Sequence, residues 1–478
     1  MWLSEVPSYP NRAKSVSAAL RIESRVDNGA WVRINDSSIV ASPPDSSTPE
    51  TLLPPSRTDL YLGAIDRRAL PRFGAPLLVR SSRHLARAAA SRSVVGHGHR
   101  NRNSSPEDVV NRRCASALST HPITSIATGE ILGALLESIG YGPDLVVLFV
   151  SNAHRPMLQE IIEATHAIMG PRRLIGTTAR AVLGDGYESD GEPAISAWAG
   201  QVGAVRAVHT TYEDLPGHDP EAVLVLGSER GALLEWLEQR PDSFASVCGG
   251  VASSDPRQSV RVILDHEIFD DGAVFASFQD RILECCVTQG AVALGPPLAI
   301  TRSERDVVYE IAFEPARDRL SLALAALSDN DRSRVRGAIH LATCPEDPDD
   351  CVEAPGRLRE VLGADRTNGA LRVDIPLETG EVIQLQALDR ASALADLERT
   401  VAQVPTGSGD KQATGALLFS SARRGRALFG DDQCDASAVS ELLRAPSAGV
   451  FCDEQYGPLE SRSYAHKRSC AIAVVQGS

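Results

Sequence analysis

The sequence predicts a mixed α/β (α+β) protein: two consecutive mixed-sheet units with flanking helices, preceded by a disordered N-terminal extension. Three observations carry that prediction. A continuous apolar run, LVVLFVS (145–151), is followed by a helical stretch and a second short run, RLIG (173–176), the order of a strand–helix–strand unit. Several strand-like segments then follow one another without an intervening helix, a pattern foreign to a doubly wound parallel sheet. A second series of strands and helices begins near Phe313. The boundaries expected are 1–110 for the extension, 111–312 for the first unit and 313–478 for the second.

The extension differs in composition from the remainder. It holds 15 Lys and Arg against 10 Asp and Glu, leaving 33 against 52 beyond it, so a leader of +5 precedes a body of −19. Stretches such as SIVASPPDSSTPETLLPPSR have no sustained apolar period and cannot bury enough surface to offset chain entropy. Residues 1–110 are therefore expected either as a disordered tail or as the product of a misassigned translation start near Val109-Val110.

In the first unit, TGEILGALLESI (128–139) has helical apolar spacing and stops at Gly140. Pro156 suits a first helical turn, and Leu158, Ile161, Ile162, Thr165 and Ile168 supply one face before Gly170-Pro171 ends the helix. AISAWAG (194–200), VGAVRAVHTTY (202–212) and AVLVLG (222–227) read as strands, the last feeding a helix around Leu233, Leu234 and Leu237. SVCGGVASS, VRVILDHEIF, GAVFASF, ILECCVTQG and VVYEIAF continue the series. Asp271-Gly272, between two apolar runs, reads as a hairpin turn rather than part of a metal site. In the second unit a helix through ALAAL precedes strands GAIHLAT (338–343), LRVDI and EVIQLQAL. A helix with Ala391, Leu394, Leu397 and Val401 leads to the flexible linker PTGSGDK (405–411). GALLFSSARRG (415–425) is a strand opening into a loop, then a helix surrounds Leu442, and SCAIAVV (469–475) closes the chain.

Composition excludes some functions. A net charge of −14 disfavours nonspecific nucleic-acid binding. No apolar run reaches 18 residues, so no membrane span is expected, and a cytoplasmic location follows. Nine cysteines form no CxxC pair, which disfavours structural zinc. Cys344 and Cys351 flank CPEDPDDC and could close a disulfide, but free thiols are expected in a reducing compartment. His209 and His340 read as packing residues on apolar strands, and Cys285-Cys286 would point to opposite faces of one strand.

GTTARAVLGDG lacks the Gly-Lys-Ser/Thr end of a phosphate loop, GDGYESDG lacks dinucleotide spacing, and GSERG is not a nucleophile elbow. No cofactor and no metal site are expected. What remains is a set of Gly, Thr, Ser and Arg where strands open into loops: Gly176, Thr177, Thr178, Gly249, Gly250, Ser421, Arg423 and Gly425. Such residues permit close backbone approach and hydrogen bonding to a carboxylate or amide, and Arg423 or Arg424 could make a two-point carboxylate contact.

Taken in order, LVVLFVS, LIGTTARAV, SVCGGVASS, VTQGAVALGPPLAITRSERDVVYEI, GALLFSSARRGRALFG and AGVFCDEQYGPL resemble the FIST family of bacterial sensory proteins, N-terminal part then C-terminal part, over residues 111–475. The resemblance implies an intracellular signalling protein that binds a small polar metabolite, an amino acid or a relative of one, and passes ligand-driven conformational change to a separate partner. The chain departs from the family in two places. Ser421 stands where a cysteine is frequent, and Glu454-Gln455-Tyr456-Gly457-Pro458 replaces a Gly-Glu before Ile-Gly-Pro, which adds Gln455 to the candidate ligand residues. Two alternatives stay open: a hydrolase or transferase using Cys452 or Cys248 with His466, and an interaction module without a ligand.

Overall fold

Alternate residues of Leu145–Ser151 face opposite ways, as a pleated strand requires. Val146, Leu148 and Val150 pack under the helices Thr124–Ile139 and Leu158–Met169, whereas Leu145, Val147 and Phe149 join a different cluster on the other face. Both faces are apolar because both are covered. In this computed structural model the strand lies in a six-stranded sheet whose inner face meets an eleven-stranded sheet. Helices Arg390–Ala402 and Asp435–Leu443 cover the far side of the latter through Leu397, Val439, Leu418 and Ile472. The order of layers is helix, sheet, sheet, helix. Phe149 and Phe419 meet edge-to-face between the sheets at 6.2 Å, a contact worth about 0.5–1.5 kcal/mol beyond its buried area.

The structure describes residues 113–477 apart from 190, 212–221, 232, 234–235, 238–245, 256–257, 279–281, 335–338, 345–355, 405–412, 431–434 and 460–461. It also describes three antiparallel strands, Glu23–Arg25, Trp31–Asn35 and Ser38–Ala41, within a separate unit, Tyr9–Ser105. The remainder of the expected leader and the linker 405–411 lie outside the described residues.

One strand arrangement recurs three times. In the first copy Leu145–Ser151 and Arg173–Ala179 are parallel, Ile195–Gln201 lies antiparallel beside the former, and Arg113–Ser119 pairs outside it. In the second, Val223–Gly227 and Val247–Ala252 are parallel, with Ala273–Phe278 and then Val205–Thr210 alongside. In the third, Ala413–Ser421 and Ser447–Leu459 are parallel, with Cys470–Gln476 and then Leu283–Thr288 alongside. The outer strand always comes first in the chain. A seven-stranded sheet, Ala291–Glu304 to Val382–Leu388, is inserted into the third copy after its outer strand. The second and third copies join in the eleven-stranded sheet through antiparallel pairing of Val247–Ala252 with Ser447–Leu459.

Most expected elements are present, with informative differences. The first helix begins at Thr124, and Ile168 is exposed while Met169 takes the buried position. The hairpin turn is not at Asp271-Gly272. It falls at Asp265-His266, between Val262–Leu264 and Glu267–Phe269, where Asp265 adopts φ +52°. Gly272 instead carries the chain from one sheet to the other. Cys344 is disulfide-bonded rather than free.

Candidate functional site

The parallel pair of the third copy ends at Ser421 and Cys452, and there the chain turns sharply. Ala422 N–H donates to the Cys452 carbonyl (2.9 Å) and Arg424 N–H to the Ser421 carbonyl (2.8 Å). Consecutive arginines then part. Arg424 is fully buried and makes a two-point contact with Asp435, both bonds 2.8 Å, over the Phe429 ring. The two-point carboxylate contact expected of Arg423 or Arg424 is thus made by Arg424 within the chain. Arg423 points outward, its side chain 61% exposed.

Arg423 enters a cleft of about 390 Å³ with Ser421, Cys452, Asp453, Glu454, Lys467, Arg468 and Arg230, closed on its other side by Asp306, Glu360, Leu362, Arg372 and Asp374 of the seven-stranded sheet. The cleft lies where the carboxyl ends of two parallel strand pairs meet, since Val223–Gly227 delivers Arg230 and Ala413–Ser421 delivers Arg423. In α/β sheets, ligands gather at such strand ends.

Its charges are mixed. Glu360 bridges two cations, Oε2 to Arg423 (3.1 Å) and Oε1 to Arg468 (2.9 Å). Lys467 stands 3.4 Å from Asp374, and Arg372 2.8 Å from Asp306. Glu454 accepts from Gly231 N–H (2.8 Å) and the Tyr456 hydroxyl (3.1 Å). The Asp453 carboxylate accepts no hydrogen bond among the described residues, and Arg230 approaches it only to 3.7 Å. Burial raises the Asp453 carboxyl above its ordinary range, opposed by Arg230, Arg423 and Arg180 and reinforced by Glu454. Each of the three recurring units contributes one of those arginines.

Of the expected ligand residues, the structure brings Ser421 and Arg423 together in this cleft. Gln455 is buried behind it. Its Nε2 donates to the Cys452 carbonyl (2.9 Å) and its Oε1 accepts from Ser469 N–H (3.3 Å), which fixes the turn carrying Lys467 and Arg468. Gly176 sits inside a strand, where a Cβ would fall 2.5 Å from the Leu148 carbonyl oxygen. Thr177 and Thr178 are buried beside it, and the Thr178 hydroxyl accepts from Arg261 N–H. A Cβ on Gly249 would lie 1.9 Å from the Val225 carbonyl oxygen, and one on Gly250 2.8 Å from the Cys452 sulfur. Gly425 opens the helix Gly425–Phe429 against the Phe451 ring. These glycines sit at close-packed positions, and Gly250 is beside the cleft residues Cys452 and Glu454, where a Cβ would also fall 2.5 Å from the Glu454 carbonyl oxygen. Arg230, Asp453, Glu360 and Arg468 had no local signal in the sequence.

The cysteine alternative meets an unfavourable environment. Cys452 and Cys248 are fully buried and burial pushes both thiols well above their ordinary range. His466 hydrogen-bonds the Gly457 carbonyl (3.0 Å), and burial lowers it to about 3. Among the described residues no hydrogen bond joins it to either thiol. A second cavity of about 340 Å³ lies beside the edge strand Leu283–Thr288, and its Asp396 is already engaged by Arg399, Thr288 and Gly290 N–H.

A layered body with mixed sheets and a charged cleft at converging strand ends defines the class, and sequence comparison defines the family. The chain belongs to the FIST family, matching the FIST N domain over residues 144–313 and the FIST C domain over 327–454. FIST domains are associated with sensory signal transduction. The chain is similar to an uncharacterised protein of Mycobacterium bovis, 28% identical over 389 residues, covering 76% of this chain and 98% of that one. It is also similar to an uncharacterised protein of Mycobacterium tuberculosis, 26% identical over 387 residues, covering 76% and 99% respectively. No helix among the described residues is long and apolar enough to cross a membrane.

Proposed function

We propose that this FIST protein is an intracellular sensor of a small zwitterionic metabolite, an amino acid or a close relative, bound in the cleft at the ends of Ala413–Ser421 and Ser447–Leu459. One observation carries the reading: Arg423, largely exposed, and Asp453, half-buried with no hydrogen bond to its carboxylate among the described residues, are opposite charges lining one small cavity. The lining holds five cations and five carboxylates, so neither a polyanion nor a bare cation finds a complementary surface. A zwitterion does, with its carboxylate on Arg423 and its ammonium on Asp453. The volume falls in the lower part of the range for small-molecule sites. Ligand binding would favour one arrangement of the cleft walls, which a separate partner reads.

A thermal-shift screen of the full chain against the amino acids and common metabolites tests this. At about 100 times its dissociation constant a ligand adds about 2.7 kcal/mol to the native state, a shift of several degrees. A selective rise that Arg423→Ala abolishes supports the reading; no rise with any zwitterion refutes it.

A further inference from the structure

Glu360 is, among the described residues, the one carboxylate of the cleft shared between two guanidinium groups. Its Oε2 lies on Arg423 and its Oε1 on Arg468, one oxygen to each. Arg468 is held for this purpose by the backbone: it has a left-handed φ of +60°, unusual for a side chain of its size. Gln455 clamps the next residue, and Ser421 N–H donates to the Ser469 carbonyl, so strand end and turn are fixed together. The Nε–H of Arg468 is buried and has no partner among the described residues. Two cations, one of them held by its backbone and with a donor left over, are more than one glutamate needs.

We propose that Arg423 and Arg468 form a carboxylate seat and that Glu360 occupies it as an internal stand-in, displaced when a ligand's carboxylate arrives. This rests on the cleft being the ligand site. Glu360 belongs to Leu358–Ala364 of the inserted seven-stranded sheet, and its backbone N–H donates to Asp374 (2.7 Å), whose own N–H donates back to the Glu360 carbonyl (3.0 Å). Glu360 and Asp374 therefore leave the cleft as one piece. Their pairs with Arg423, Arg468 and Lys467 tie the inserted sheet to the strand ends, so exchange at the seat loosens that sheet. Binding becomes movement at the point where a partner can read it.

Acetate, a carboxylate without an ammonium, isolates the seat from the rest of the ligand. Melting temperatures of wild type, Glu360→Gln and Glu360→Gln/Arg423→Ala are compared in sodium acetate and in sodium chloride of equal ionic strength. The expected result is a rise of about 2 °C with acetate in Glu360→Gln alone. Glu360→Asp, which withdraws the carboxylate by one methylene, replaces Glu360→Gln if the latter does not fold, with the same direction expected. No acetate-specific rise in the Glu360 variant, or an equal rise in wild type, overturns the proposal. If acetate stabilises Glu360→Gln while no amino acid binds any form, the seat stands and the zwitterion reading falls.

Discussion

Glu188 gives the sharpest test of the buried electrostatics. It comes from the short strand Tyr187–Glu188 of the FIST N half and reaches the helix Asp435–Leu443 of the FIST C half, where Ala436 N–H donates to it (3.1 Å). Beside it lies Asp435, whose charge is taken by Arg424. Burial, and then the Asp435 carboxylate, raise Glu188 from 4.5 to about 7. A carboxyl raised on folding binds its proton more tightly in the native state, so its contribution is full below about pH 4.5 and is lost as pH rises through about 7. The total is on the order of 3 kcal/mol, roughly 2 of it between about pH 5.5 and pH 8. Glu188→Gln keeps the shape and removes the titration. Urea unfolding of both proteins at those two pH values should show wild type losing about 2 kcal/mol more than Glu188→Gln on going to the higher pH. Equal pH dependence in the two proteins would refute the assignment of a buried carboxyl whose partners fall short of offsetting its burial.

The other predictions concern packing and thiols. Arg424→Ala leaves Asp435 buried without its cation and should cost about 3–5 kcal/mol in urea unfolding, where a loss under about 1 kcal/mol would mean that water reaches the pair. Gly249→Ala forces a Cβ onto the Val225 carbonyl oxygen at φ +148° and should cost about 3 kcal/mol or more; a neutral effect in the same assay would place the strand pair farther apart. Iodoacetamide followed by peptide mass spectrometry should label Cys452 only as the chain opens. Rapid labelling near neutral pH would instead revive the cysteine-enzyme alternative. Thiol titration of the unreduced, denatured chain should find two fewer thiols than its nine cysteines, because Cys344 is disulfide-bonded.

What could be read from the chain follows the range of the forces involved. Leu145–Ser151 and Ala413–Ser421 are apolar on both faces because layers cover both, and such runs are visible without a structure. Ala291–Glu304 is less visible, since Gly295-Pro296-Pro297 interrupts its pattern. The structure absorbs the break as a shift of register between Leu294 and Leu298. Leu358–Ala364 escapes notice because LREVLGA is only partly buried and mixes charge with apolar residues. The threefold recurrence rests on pairing between distant strands, which no local pattern encodes. The site divides in the same way. Ser421 and Arg423 stand at a legible strand-to-loop junction, but Glu360 and Arg468 acquire meaning from contacts spanning 63 and 108 residues, and Asp453 from arginines that each of the three recurring units supplies. The conspicuous glycines led instead to packing positions, where strand backbones or rings approach closely.

Calorimetric titration of the full chain tests the central claim most directly, with the amino acid that gives the largest thermal shift, its decarboxylated amine and its deaminated acid. Arg423→Ala and Asp453→Asn are titrated beside wild type. The result expected is that wild type binds the zwitterion at least about tenfold more tightly than either analogue, a difference of about 1.4 kcal/mol. Arg423→Ala should erase the preference over the amine, and Asp453→Asn the preference over the acid. Equal binding of all three compounds, or a preference untouched by both substitutions, would contradict a zwitterion site between Arg423 and Asp453.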